Sequence, residues 1–275
     1  MVRSNTGSDR DVVRRETQSR ARRIAFRVLA WLMTLLLLAV FPFSLLEVVV
    51  MWLPDETLMS LIPDFTETDL AHRTHFLSVG IVMWALLLGL VVQLRKPERR
   101  TAPMLQSLVL AFAGSVLFAL TGTFGEFLVE DAVIFAPVTL LALLHPQAAK
   151  LVSKPDLNRE MAALAAIAVV PWAVFAVDNI GLQITDTSSH AAMEHWAVAA
   201  LVAVIVVVFG FVGSSALEGW RLTASISAVV SVIYGLHSLA FPGLASALPA
   251  FWAVAAVVWG LAFGVAIVRR SRLGR

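Results

Sequence analysis

The chain has 275 residues, of which 59% are hydrophobic and only 15% charged, and its mean hydropathy is +0.83. A soluble domain of this length needs more charge to cover its surface, so the composition excludes one and requires an integral membrane protein. The absence of cysteine excludes disulfides, thiolate zinc or iron–sulfur centres and c-type haem attachment. Any cofactor must be held by histidine, carboxylate or backbone.

Residues 1–25 form an Arg-rich, Ser-containing arm without apolar periodicity. It reads as a cytoplasmic segment drawn to anionic inner-leaflet headgroups. No base-reading motif accompanies the charge, so nucleic acid is not an expected partner. A bilayer core about 30 Å thick needs roughly 20 apolar residues in a helix. Windows of this kind fall at 27–53, 75–94 and 104–124, followed by a shorter one at 131–145, and together they make a first membrane unit over 26–150. A second unit over 151–275 holds windows at 160–180, 193–213, 221–241 and 248–268. The expected fold is all-α, a polytopic membrane helix bundle of eight transmembrane helices.

The short window counts as a crossing because Val133 to Leu144 carries no charge. Omitting it would also place Arg95, Lys96, Arg99 and Arg100 across the membrane from Lys150, Lys154 and Arg159. With eight crossings both termini are cytoplasmic in an inner membrane. Arg73 is then the exception among 21 Lys and Arg residues, alone in an outward loop beside Asp55, Glu56, Asp64, Glu67 and Asp69. Trp52, Trp196 and Trp252 read as anchors at the outer interface and Trp220 at the inner one.

The two units resemble each other, and four crossings apiece make them parallel-related repeats. Ala39-Val40-Phe41-Pro42-Phe43 parallels Ala168-Val169-Val170-Pro171-Trp172, each a proline kink followed by an aromatic. His75-Phe76 parallels His195-Trp196, with Gly89 and Gly210 following at similar depth. Ser115-Val116-Leu117-Phe118-Ala119-Leu120 parallels Ser231-Val232-Ile233-Tyr234-Gly235-Leu236. The order is the same throughout.

The outward end gathers most groups capable of metal or proton chemistry. Helical spacing puts Asp69, His72 and His75 on one stripe, and His190 with Glu194 on another. Depth brings His75, His195, His237, Glu126 and Asp178 near one plane. The expected metal ligands are His75, His195 and His237 with Glu126 or Glu194, a donor set suited to Zn²⁺ or another borderline divalent ion. Glu47, deep in the first span, and Asp178 are candidates for proton exchange, Glu47 needing a partner such as His75 or His237. The alternatives are a haem b subunit for electron transfer with His75 and His195 as axial ligands, and a structural subunit of a membrane complex. Homo-oligomers and membrane-complex partners remain open. No phosphate-binding glycine loop, dinucleotide fingerprint or serine elbow occurs.

Overall fold

The computed structural model describes the backbone of residues 6–61, 70, 72–121 and 124–273, with side chains over 20–61, 70, 72–121, 133–188 and 190–273. Among the described residues no strand occurs, and one isolated bridge, Leu157 with Ser215, joins two loops. The helices are α1 Thr6–Val40, α2 Pro42–Val50, α3 Asp55–Leu61, α4 Arg73–Val91, α5 Thr101–Leu120, α6 Phe124–Leu144 and α7 Ala148–Leu151. They continue with α8 Arg159–Thr185, α9 Ser189–Ala192, α10 His195–Ser214, α11 Trp220–Ala240 and α12 Ala250–Leu273. Seven of these contain segments long and apolar enough to cross a membrane: Arg20–Val40 within α1, Arg73–Leu94, and α5, α8, α10, α11 and α12.

Sequence chemistry sets where these helices start and stop. Pro42 has no N–H to continue the ladder, so α1 ends at Val40 and α2 restarts with proline in its first turn. The matching Pro171 stays inside an unbroken α8, as Pro137 does in α6, so the two prolines expected to kink alike do not. Asn158 caps α8 by accepting from the Met161 N–H at 3.0 Å. Residues 6–25 of the basic arm continue into the first membrane helix without a break.

α10 is the central helix. It packs on α8, α11, α4 and α5, and 72% of its apolar window is buried, against 28% for α8 and for the first span. The exposed apolar residues of the outer helices, among them Phe43, Ile167, Val170, Val174, Phe251 and Leu261, face outward, as contact with lipid demands. α2 leans on α4, where the Trp84 indole donates to the Leu45 carbonyl at 2.7 Å.

The two ends of the bundle differ in chemistry. At one end Arg22 donates to the Leu143, Leu144 and His145 carbonyls that close α6. Arg270 does the same for Gly213, Ser214 and Ser215 at the close of α10, while lying 3.9 Å over the Trp220 ring. Each guanidinium satisfies carbonyls that a helix C-terminus leaves without partners. Arg95, Lys96, Arg99 and Arg100 lie in the loop between α4 and α5, and Lys150 and Lys154 in the one between α6 and α8, at this same end. His72, His75, His190, His195 and His237 lie at the other.

Candidate metal centre

The N-terminal ends of α4 and α10 lie side by side and carry the chemistry. His72 is the N-cap residue of α4 and His75 stands one turn further on. His195 opens α10, and the preceding loop delivers His190 from the single turn of α9. Gln183 near the end of α8 pins that loop, its amide donating to the Ala191 carbonyl at 2.7 Å and its Oε1 accepting from the Ala197 N–H at 3.1 Å. Asp186 fixes the other side by accepting from the Ser188 hydroxyl, the Ser188 N–H and the Trp196 indole. These hydrogen bonds, the Ser188 hydroxyl foremost, hold its carboxyl well below the usual range, so it stays anionic.

Ring nitrogens of His72, His190 and His195 lie within 4.8 Å of one another. His72 and His190 stack with centroids 4.1 Å apart. His72 is 4% exposed and His195 5%, and the His195 Nδ1 is buried without a hydrogen-bond partner. Burial, then the neighbouring His72, push the His190 pKa down, with Asp186 opposing, so its imidazole is a neutral donor. Metal–imidazole bonds of about 2.0–2.1 Å in a tetrahedron separate the donor atoms by about 3.4 Å. Each ring would therefore close in by about 1 Å, a side-chain adjustment that leaves the helices in place. The residues fit a small ion with nitrogen ligands.

His75, wholly buried, lies against this trio. Its Nδ1 is 3.3 Å from the Nδ1 of His190, and its Nε2 is 2.9 Å from the Ser246 hydroxyl in the loop between α11 and α12. Ser246 donates to Asn179 Oδ1 at 2.6 Å, and Asn179 donates to the Phe175 carbonyl at 2.8 Å. Trp196 packs edge-on to His75 at 4.9 Å and walls the site as well as holding Asp186. Two non-glycine residues in the left-handed region border the cluster, Glu194 at φ 56° and Ser246 at φ 60°. Such strain persists only where surrounding structure holds it, and it collects at functional sites.

The expected ligands divide. His75 and His195 are in the cluster, joined by His72 and His190, which sequence reasoning noticed as stripe neighbours and did not select. His237 is elsewhere: its ring packs on Trp52 at 5.4 Å and Phe241 at 4.8 Å. Depth along α11 was the ground for grouping it with the others, and helical depth says nothing of azimuth. Glu194 is buried beside His195 but is not among the converging donors. The stripe of His190 and Glu194 does not form, because α9 stops at Ala192 and the left-handed Glu194 separates it from α10. The Glu126 side chain and Asp69 lie outside the described residues. Asp178 is exposed, and its neighbour Asn179 is the residue that reaches inward. Glu47 is half-buried with its Oε2 unpartnered, and neither His75 nor His237 pairs with it.

The His75 and His195 centroids are 4.7 Å apart with planes inclined by 37°. Axial haem ligands must approach iron from opposite faces. These two rings sit side by side, and no porphyrin plane fits between them.

Beside the site, Arg73 is 1% exposed, bonded to Asp55 at 2.8 Å and lying 4.3 Å over the Phe241 ring. The one basic residue expected outside is thus a buried tie between α3, α4 and the α11–α12 loop. No protein-family model, curated protein or solved structure matches the chain.

Proposed function

We propose that the chain is an inner-membrane protein whose outward-facing histidine cluster binds one divalent transition-metal ion through His72, His190 and His195. The observation that carries this is the convergence of three imidazoles, two of them almost fully buried. A buried polar group needs a partner, and a cation at the point of convergence supplies one to His195 Nδ1, which is buried without a hydrogen bond. Imidazole donors without thiolate suit Zn²⁺ and its neighbours in the first transition row.

The outward orientation rests on the segregation of charge, since Arg and Lys collect on the cytoplasmic side of membrane helices. Both termini are then cytoplasmic, the arginine end meets anionic headgroups, and the cluster opens to the periplasmic or external side. α6 supports an eighth crossing, because its 21 residues span about 31 Å. The parallel repeat gains support from polar contacts. Gln106 of α5 donates to the Ala85 carbonyl of α4, and Ser227 of α11 donates to the Val206 carbonyl of α10, each across 21 residues. Gln93 and Ser214 in turn donate to the carbonyls of Gly89 and Gly210, each across four. This register keeps His75 near His195 but does not pair Ser115 with Ser231. Ser115 lines an apolar crevice, whereas Ser231 donates to the Ala256 carbonyl.

Equilibrium dialysis of purified protein against Zn²⁺ or Co²⁺, followed by elemental analysis, tests the site. Wild type retains one ion per chain. His72→Ala and His195→Ala lose it, and His237→Ala retains it. Retention by the first two variants, or no ion on wild type, overturns the reading.

A further inference from the structure

His75 belongs to the cluster without sharing its point of convergence, and its hydrogen bonds say why. The Phe175 carbonyl can only accept, so the Asn179 amide that meets it at 2.8 Å is the NH₂ and Oδ1 faces Ser246. The hydroxyl of Ser246 has one proton, which goes to Oδ1 at 2.6 Å. Toward His75 Nε2, 2.9 Å away, the same oxygen can then only accept. A neutral His75 that donates from Nε2 carries its lone pair on Nδ1, and the atom 3.3 Å from that lone pair is His190 Nδ1. His190 must donate there. Its own lone pair is left on Nε2.

We infer that Phe175, Asn179, Ser246 and His75 form a one-directional relay that fixes His190 as the Nδ1–H tautomer and so dedicates its Nε2 to the metal. His75 is on this account a positioning residue and not a fourth ligand. The inference rests on the metal-site reading and adds to it the group that orients one ligand. Ligating histidines commonly donate their second ring N–H to such a partner, and loss of the partner weakens metal binding by about 10–100-fold.

Local backbone supports the assignment. Ser246 sits at φ 60°, a conformation that favours glycine, and the Tyr234 hydroxyl holds its carbonyl at 3.0 Å. In this turn, where glycine would be less strained, the serine hydroxyl is the group that joins Asn179 to His75. The relay also crosses between elements, from α8 through the α11–α12 loop to α4 and α9, so it ties both units to one imidazole.

Histidine-selective ¹⁵N NMR of the full-length, metal-free protein at alkaline pH, where the imidazoles are neutral, reads the tautomers directly. Nδ1–H is the minor tautomer of a free histidine side chain, so the expected His190 signal is distinctive. Ser246→Gly removes the hydroxyl in a residue that suits the turn, and Asn179→Ala breaks the relay one step earlier, from another helix. Both should return His190 to the Nε2–H form and weaken Co²⁺ binding about 10–100-fold with stoichiometry kept. His190 found as Nε2–H in wild type, or Co²⁺ affinity unchanged in both variants, overturns the relay. A wild type that holds His190 as Nδ1–H yet binds no Co²⁺ overturns the metal reading, and the positioning role with it.

Discussion

At the residue scale, individual buried histidines are distinguished by what their two nitrogens touch. His145, at the arginine end, donates from Nε2 to the Pro97 carbonyl at 3.0 Å and accepts at Nδ1 from the Gln147 N–H at 3.1 Å. A second proton would displace the latter bond, and burial, the largest cause, lowers its pKa to about 4. The unfolded chain protonates near 6.5, so between the two values unfolding takes up a proton. The stabilising contribution is complete above about pH 6.5 and is lost as pH falls toward 4. Thermal unfolding of His145→Gln against pH should accordingly show a shallower loss over this window than wild type. An identical slope would remove His145 from the account. Composition marked histidine as the only candidate nitrogen ligand, and the pair at 72 and 75 was legible from its spacing. Asn179 and Ser246 were not, because a relay assembled from one loop and three separate helices leaves no periodicity in the sequence.

At the element scale, glycines show which helix contacts are tight. A Cβ on Gly213 would come within 2.6 Å of Ala224 Cα and Cβ, so α10 and α11 touch backbone to backbone there. Gly213→Ala should cost about 1–3 kcal/mol by overpacking, read as a lower midpoint of thermal unfolding. Gly264 has nothing within 4 Å of the same position. Gly264→Ala should leave the midpoint unchanged or raise it, since alanine is the better helix former by about 1 kcal/mol. Gly260 and Gly264 lie about one turn apart on α12. Only Gly260 packs closely, against the Ala228 carbonyl and Val232. The helices themselves were readable from apolar length, whereas the differing fates of Pro42 and Pro171 depend on neighbours that hydropathy does not encode.

At the scale of the whole molecule, charge segregation and the histidine cluster describe one axis. The chain has no cysteine, so a single introduced thiol reports its side of the membrane without background. In intact cells a membrane-impermeant maleimide should label Thr187→Cys, at the histidine end, and spare Lys154→Cys until the membrane is opened. The reverse pattern would invert the orientation. The central claim, that His72, His190 and His195 hold a metal, is tested most directly by X-ray absorption at the zinc edge of protein loaded with one Zn²⁺. The account predicts a first shell of nitrogen or oxygen at about 2.0–2.1 Å with outer-shell scattering from three imidazoles, a signature absent from His72→Ala, which does not hold the ion. A shell lacking imidazole scattering, or one that His72→Ala leaves unchanged, would contradict it.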